Sequence, residues 1–173
     1  MRLVLRAVGS HVFEEKEWLG TSLAGVFGTK VVEGAPLVDI GDAFDRGRGQ
    51  YLAGLIVARL AGLASDKGDR VLGVTSVDLY TPGLNFVFGQ ADIKLRTAVI
   101  SLYRLRQEFY GLPADRELFR SRMLKEAVHE IGHTFGLGHC SNLRCVMHFS
   151  NCLADTDLKG FRFCSNCQPR LLM

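Results

Sequence analysis

The stretch His129-Glu130-Ile131-Gly132-His133-Thr134-Phe135-Gly136-Leu137-Gly138-His139-Cys140 decides how the rest of the chain is read. In H-E-x-x-H the two histidines stand four residues apart, and positions i and i+4 share one face of a helix, so both imidazoles can reach one metal ion. Glu130 falls where a general base beside a metal-bound water would stand. Gly136 follows His133 by three residues. Glycine takes φ > 0 without steric cost, so the helix is predicted to stop there and turn, bringing His139 back as a third ligand. Three imidazoles and one open position form the usual plan of a catalytic zinc site. The bland alternative is a helix with two unrelated histidines. It fits poorly, because three of the five histidines in the chain fall on the ligand positions of this one motif.

The longer motif, followed by a methionine turn, is the metzincin signature. Beyond it come Cys145, Met147 and the closing run Cys164-Ser165-Asn166-Cys167. This arrangement, from His129 to Cys167, resembles the archaemetzincin family, metzincins with an added four-cysteine site. The resemblance implies an α/β fold: a metzincin-like catalytic domain with a twisted mixed β-sheet, an antiparallel edge strand, a long active-site helix and a short, irregular, zinc-bound C-terminal subdomain. Two Zn2+ ions are implied, a catalytic one on His129, His133 and His139 and a structural one on Cys140, Cys145, Cys164 and Cys167. Met147 would support the imidazoles from beneath without binding metal, a role that overlaps with plain gap-filling. Cys152 lies between the cysteine pairs and reads as a free thiol, with an exchange for Cys164 as the alternative. His148 reads as a loop residue, and His11 has no recognisable partner.

The expected chemistry is peptide hydrolysis. Zinc brings the pKa of a bound water to about 7. Glu130 would take that water's proton and pass it to the leaving amine. The family includes members credited with aminopeptidase-like cleavage, so exopeptidase and endopeptidase action both stay open. The rival reading is a zinc-stabilised binding module, with a nucleic-acid knuckle in the tail or a vestigial histidine pocket for a protein partner. Phe161, Arg162 and Phe163 are the only hint of a nucleic-acid surface, and a net charge of +3 argues against one. A third reading has the histidine site weakly loaded and assembled only with substrate.

At 173 residues, one domain is expected, with 1–136 as an N-terminal subdomain and 137–173 as the zinc-stabilised part. No apolar run is long enough to cross a membrane. The arginines of Met1-Arg2-Leu3-Val4-Leu5-Arg6 interrupt any signal-peptide core, so a cytoplasmic monomer acting on peptides or proteins is expected, with no nucleic-acid or membrane partner. Five cysteines in that compartment suit metal or free thiols.

Periodicity predicts the order β-α-β-α-β-β-β-α and a tail. Strands are expected at 3–8, within 31–40, and at 71–80, 84–89 and 97–103. Helices are expected at 13–27, at 50–64, and in a long segment capped by Asp115 with an apolar stripe of Leu124, Val128, Ile131 and Phe135. Residues 42–49 read as a loop. The antiparallel edge strand is placed at 84–89, where Asn85, Phe86 and Val87 are candidate substrate contacts for a peptide added as a strand. A plain sheet edge fits that strip equally well.

Overall fold

Long-range pairing turns the apolar runs into two sheets. In the computed structural model, every residue is described except Met1, His11, Val12, Ser65, Lys67 and Met173, together with the side chain of Leu172. The reading of His11 therefore lies outside the described residues. In chain order the elements are β1 (Leu3–Val8), α1 (Lys16–Phe27), β2 (Val31–Glu33), β3 (Phe44–Asp45), β4 (Gln50–Leu52), α2 (Ala53–Gly62), β5 (Arg70–Thr75), β6 (Leu79–Tyr80), β7 (Gly89–Asp92), β8 (Thr97–Ser101), α3 (Arg116–Thr134) and α4 (Leu153–Leu158). The main sheet has the order β2-β1-β5-β8-β7. Its first four strands are parallel and β7 runs antiparallel to β8. This is the expected mixed α/β sheet with one antiparallel edge strand.

Parallel strands are covered on both faces, so their sequences read as nearly continuous apolar runs. One face carries a core that joins Leu19 and Leu23 of α1 to Met123, Ala127, Val128 and Ile131 of α3. The other face packs Ile56, Val57 and Leu60 of α2 on Val4, Val8, Val71 and Val99. The helix that bears the metal motif is thus clamped between sheet, α1 and tail. Glu15 ties α1 to it, with one carboxylate oxygen on Arg116 and the other on Arg120, each at 2.8 Å.

Several boundaries differ from the sequence reading. The edge strand is Gly89–Asp92, not 84–89. The carbonyls of Leu84 and Asn85 do not join a ladder because side chains already hold them. Arg48 donates to the carbonyls of Leu84 and Asn85, and Gln50 donates to that of Asn85. Val87 makes a single antiparallel bridge to Leu79. The run 71–80 splits into β5 and β6, which belong to different sheets. At the break, Ser101 donates its hydroxyl to the carbonyl of Val77, and Asp78 is clamped by Arg104. Residues 50–52, expected to open a helix, form β4, which pairs with β3 in the expected loop and with β6. The tail holds a regular piece, α4, where none was expected.

Candidate metal centre

Asp115 opens α3 as expected, its carboxylate accepting the Leu118 N–H at 2.9 Å. At the far end Gly136 has φ +85°. The Leu137 N–H reaches back to the Gly132 carbonyl and the Gly136 N–H to that of His133, which is a Schellman stop. Arg70 donates to the Thr134 carbonyl and lies over the Phe135 ring. The chain then returns and brings His139 to the two helix histidines.

The ligand-capable atoms of His129, His133 and His139 all lie within 4.8 Å of one another. The Nδ1 of His129 lies 2.7 Å from the Val146 carbonyl, and that of His133 lies 2.7 Å from the Leu137 carbonyl. Each Nδ1 must therefore carry the proton, which leaves both Nε2 lone pairs bare. Those two Nε2 atoms face each other at 3.0 Å. Two bare lone pairs at that distance repel unless a cation or a proton lies between them. Burial, the largest cause for each, holds all three imidazoles below their ordinary pKa, and His129 well below it. Neutral imidazoles are the ligand-competent form. Donor set and protonation therefore fit a divalent zinc ion.

Glu130 is buried beside this cluster. Burial first, and the nearby Glu126 second, push its carboxyl up to about 8, against the opposing charge of Lys159. A cation among the imidazoles would act in Lys159's direction. The β7 backbone comes close to Glu130 because residue 89 is glycine. A Cβ there would stand 2.6 Å from the Glu130 Cγ and 2.7 Å from the Val99 carbonyl. Gly132 does the same for Met147, whose Sδ would be 2.5 Å from a Cβ at that position. Met147 therefore packs against α3 at Gly132, the residue before His133.

A cleft of ≈ 740 Å³ opens over these residues. It is bounded by the strip 84–91, by His129, Glu130 and His133, and by the returning loop with Phe149, so Asn85, Phe86 and Val87 do face the site. The sulfurs of Cys140, Cys145, Cys164 and Cys167 form a second group, again within 4.8 Å of one another. None is in a disulfide. Burial, then its sulfur neighbours, raise the Cys167 thiol. Burial also acts to raise Cys164, yet the N–H groups of Asn166 and Cys167 bring it down to about 7. Four clustered sulfurs without disulfides suit a closed tetrahedral zinc site. Cys152 stands apart, exposed, at the start of α4. His148 turns its Nδ1 to the Cys140 carbonyl at 3.0 Å.

A profile of peptidase family M54 matches residues 36–172. The chain belongs to peptidase family M54. It is similar to the archaemetzincin of Methanocaldococcus jannaschii, with 46% identity over 172 residues that cover 99% of this chain and 93% of the relative. The crystal structure of archaemetzincin from Methanopyrus kandleri superposes with a TM-score of 0.87 at 41% identity, covering 99% of this chain and 93% of that one. A structure described as a zinc-dependent peptidase from Methanocorpusculum labreanum gives 0.88 at 32% identity, covering 98% and 99%. The M54 membership is the archaemetzincin resemblance expected from the motif, and it makes the chain a zinc metallopeptidase with peptides as its substrate class.

What the motif reading missed in this M54 chain is the polar seam behind the site. Arg122 holds Asp157 through two 2.7 Å contacts. Lys125 donates to the carbonyls of Thr156 and Asp157. Glu126 takes the Lys159 ammonium at 2.9 Å and the Thr156 hydroxyl at 3.0 Å. A signal was available. Positions 122, 125, 126, 129 and 133 fall on one helical face, and all carry polar side chains.

Proposed function

We propose that the chain hydrolyses peptide bonds in this cleft, with Glu130 as general base and with His129, His133 and His139 holding the catalytic zinc. Cys140, Cys145, Cys164 and Cys167 hold a second, structural zinc. The observation that carries this reading is the pair of Nε2 atoms at 3.0 Å, with both Nδ1 protons committed to carbonyls, beside a buried carboxylate in an open cleft. A zinc ion in the histidine cluster supplies a Lewis acid that brings water near a pKa of about 7 and polarises a carbonyl. The rest falls to the chain. The carbonyls of Val146 and Leu137 fix the imidazole tautomers. Met147, admitted by Gly132, supports the rings, and the Gly136 stop returns His139. Glu130, held against β7, takes a proton from water and gives it to the departing amine.

Substrate positioning follows from the β7 register. Phe88, Gln90 and Asp92 face β8 through the ladder, since the Ser101 N–H binds the Phe88 carbonyl and pairing alternates from there. Gly89 and Ala91 therefore direct their N–H and C=O groups to the free edge, where an extended peptide can pair. Asn85, Phe86 and Val87 act as wall rather than as the pairing strand. Among the described residues lining the cleft, only Glu126 and Glu130 are acidic, and Glu126 is already paired with Lys159. No spare carboxylate awaits a substrate's terminal ammonium, which favours cleavage within a chain over removal of its first residue.

The test combines metal counting with turnover. Wild type should carry two zinc ions, His133→Ala one, and Glu130→Ala two with essentially no peptidase activity. Wild-type turnover in Glu130→Ala, or a single ion in wild type that His133→Ala leaves in place, sinks the mechanism.

A further inference from the structure

Beside the cleft, the segment between β8 and α3 exposes an unusual run of large apolar side chains. Tyr103 is 43%, Phe109 41%, Tyr110 45% and Leu112 53% exposed. Single exposed apolar residues are ordinary, whereas a contiguous patch marks a contact surface. These rings do touch. Tyr103 and Phe109 lie 5.2 Å apart and Phe109 and Tyr110 4.9 Å apart, both edge-on.

The patch is joined to the cleft by one side chain. The Arg104 guanidinium lies 4.3 Å over Phe86, which lines the cleft, and 4.9 Å from Phe109, which does not. Asp78 grips the same guanidinium at 2.8 and 2.7 Å, which fixes its plane and cancels its charge. Phe86 in turn packs edge-on against Phe88 at 5.2 Å. An unbroken ladder of rings and one neutralised cation thus leads from the cleft wall out to the surface.

We propose that Tyr103, Phe109, Tyr110 and Leu112 form an accessory docking surface for polypeptide substrates. It takes an apolar or aromatic stretch of the substrate that lies outside the cleft. The assignment rests on the peptidase reading above. Its logic is continuity: a chain paired on the β7 edge beside Phe86 meets this surface next. A short peptide confined to the cleft gains nothing from it. Long, unfolded polypeptides are therefore the favoured substrates.

The test uses zinc-loaded Glu130→Ala, so that bound polypeptide stays intact. One probe is fluorescein-labelled, reduced and carboxymethylated lactalbumin, long enough to reach both surfaces, read by anisotropy. The other is phenylalanine hydroxamate, small enough to occupy the cleft alone, read by calorimetry. Adding Phe109→Ser and Leu112→Ser together should weaken the long probe at least tenfold and leave the hydroxamate unchanged. Leu112→Ser with Tyr103→Ser provides a second pair should Phe109→Ser lower the melting temperature. Equal weakening of both probes, or no weakening of the long one, overturns the proposal. So does a dimeric parent that the variants dissociate in sedimentation, because a second copy would then cover the patch. Failure of the peptidase reading shows separately, as no cleavage of lactalbumin by the wild-type chain while the docking result stands.

Discussion

The histidine cluster and the cysteine cluster each bring their ligand atoms within 4.8 Å of one another, yet they are built in opposite ways. Two of the three histidines project from α3, a helix of 19 residues packed in the main core, and His139 is exposed at the cleft. The four cysteines come from loop segments, Cys145 and Cys167 are buried, and none lines the cleft. A site that must accept a substrate stands on a scaffold that exists without its ion. On the proposed reading, a site that orders a scaffold uses up every ligand position and buries two of its four sulfurs. Removing each ion should therefore have different consequences: loss of chemistry in the first case and loss of order in the second.

The largest expected effect tests that contrast directly. Cys164→Ser should release the cysteine-bound zinc and disorder the tail, and with it Met147 and the carbonyl of Val146 that orients His129. In small zinc peptides such a site contributes about 10–16 kcal/mol, an upper bound here because other contacts also hold the tail. Thermal melting and zinc counting should show a large drop in stability and loss of activity, whereas His133→Ala should melt close to wild type. Equal stability in the two variants breaks the contrast.

The next effect comes from the seam that shares this task. Lys159 and Glu126 are an ion pair with side chains 0% and 3% exposed. Lys159→Met strands a buried carboxylate, which costs about 3–5 kcal/mol, whereas removing both charges with Lys159→Met and Glu126→Leu should recover most of that. Urea unfolding of the single and double variants measures it. A silent Lys159→Met would mean that the ion alone orders the tail.

This seam also marks the limit of what the sequence could tell. The metal motif was legible because its logic is local: a helical repeat, a glycine stop and a capping Asp115 each act within a few residues. The fold class was legible for the same reason, since 3–8, 71–75 and 97–101 are nearly continuous apolar runs. The edge strand was misplaced because Arg48 and Gln50, more than thirty residues away in the chain, claim the carbonyls of Leu84 and Asn85. β3, β4 and β6 span two or three residues each, too short to show a period. The tail reads in sequence only as an irregular, zinc-stabilised piece, because Arg122, Lys125 and Glu126 find their partners 30 to 35 residues on.

A smaller effect, confined to the histidine side, is expected at Gly136. With φ +85°, valine is strained in its backbone, while the one close contact of its Cβ, the Cδ1 of exposed Ile93 at 2.8 Å, can swing aside. Gly136→Val should cost about 1–3 kcal/mol. It should weaken zinc at the histidines at least tenfold while the cysteine-bound ion stays, which competition with a chelator resolves as two separate losses. Undiminished affinity at the histidines would show that the turn does not set the position of His139.

The smallest effect is the control that gives the others meaning. Cys152 sits between the two cysteine pairs in sequence, and sequence order alone allows it to replace Cys164 as a ligand. Its surroundings argue otherwise. It is exposed, and its sulfur contacts the Asp155 carboxylate at 3.6 Å rather than the other thiols. The same carboxylate accepts the N–H groups of Asn151 and Cys152 at 2.9 and 3.2 Å, so residue 152 works as the N-cap of α4. Serine is a strong N-cap residue, since its hydroxyl accepts from the first free helix N–H groups better than a thiol does. Cys152→Ser should therefore keep both zinc ions and full activity, with stability within about 0.5 kcal/mol of wild type. Cys164→Ser, made in parallel, should lose the tail ion. Loss of zinc in Cys152→Ser, with retention in Cys164→Ser, would assign the fourth sulfur to the capping residue and reverse the division of labour between the two clusters' neighbours.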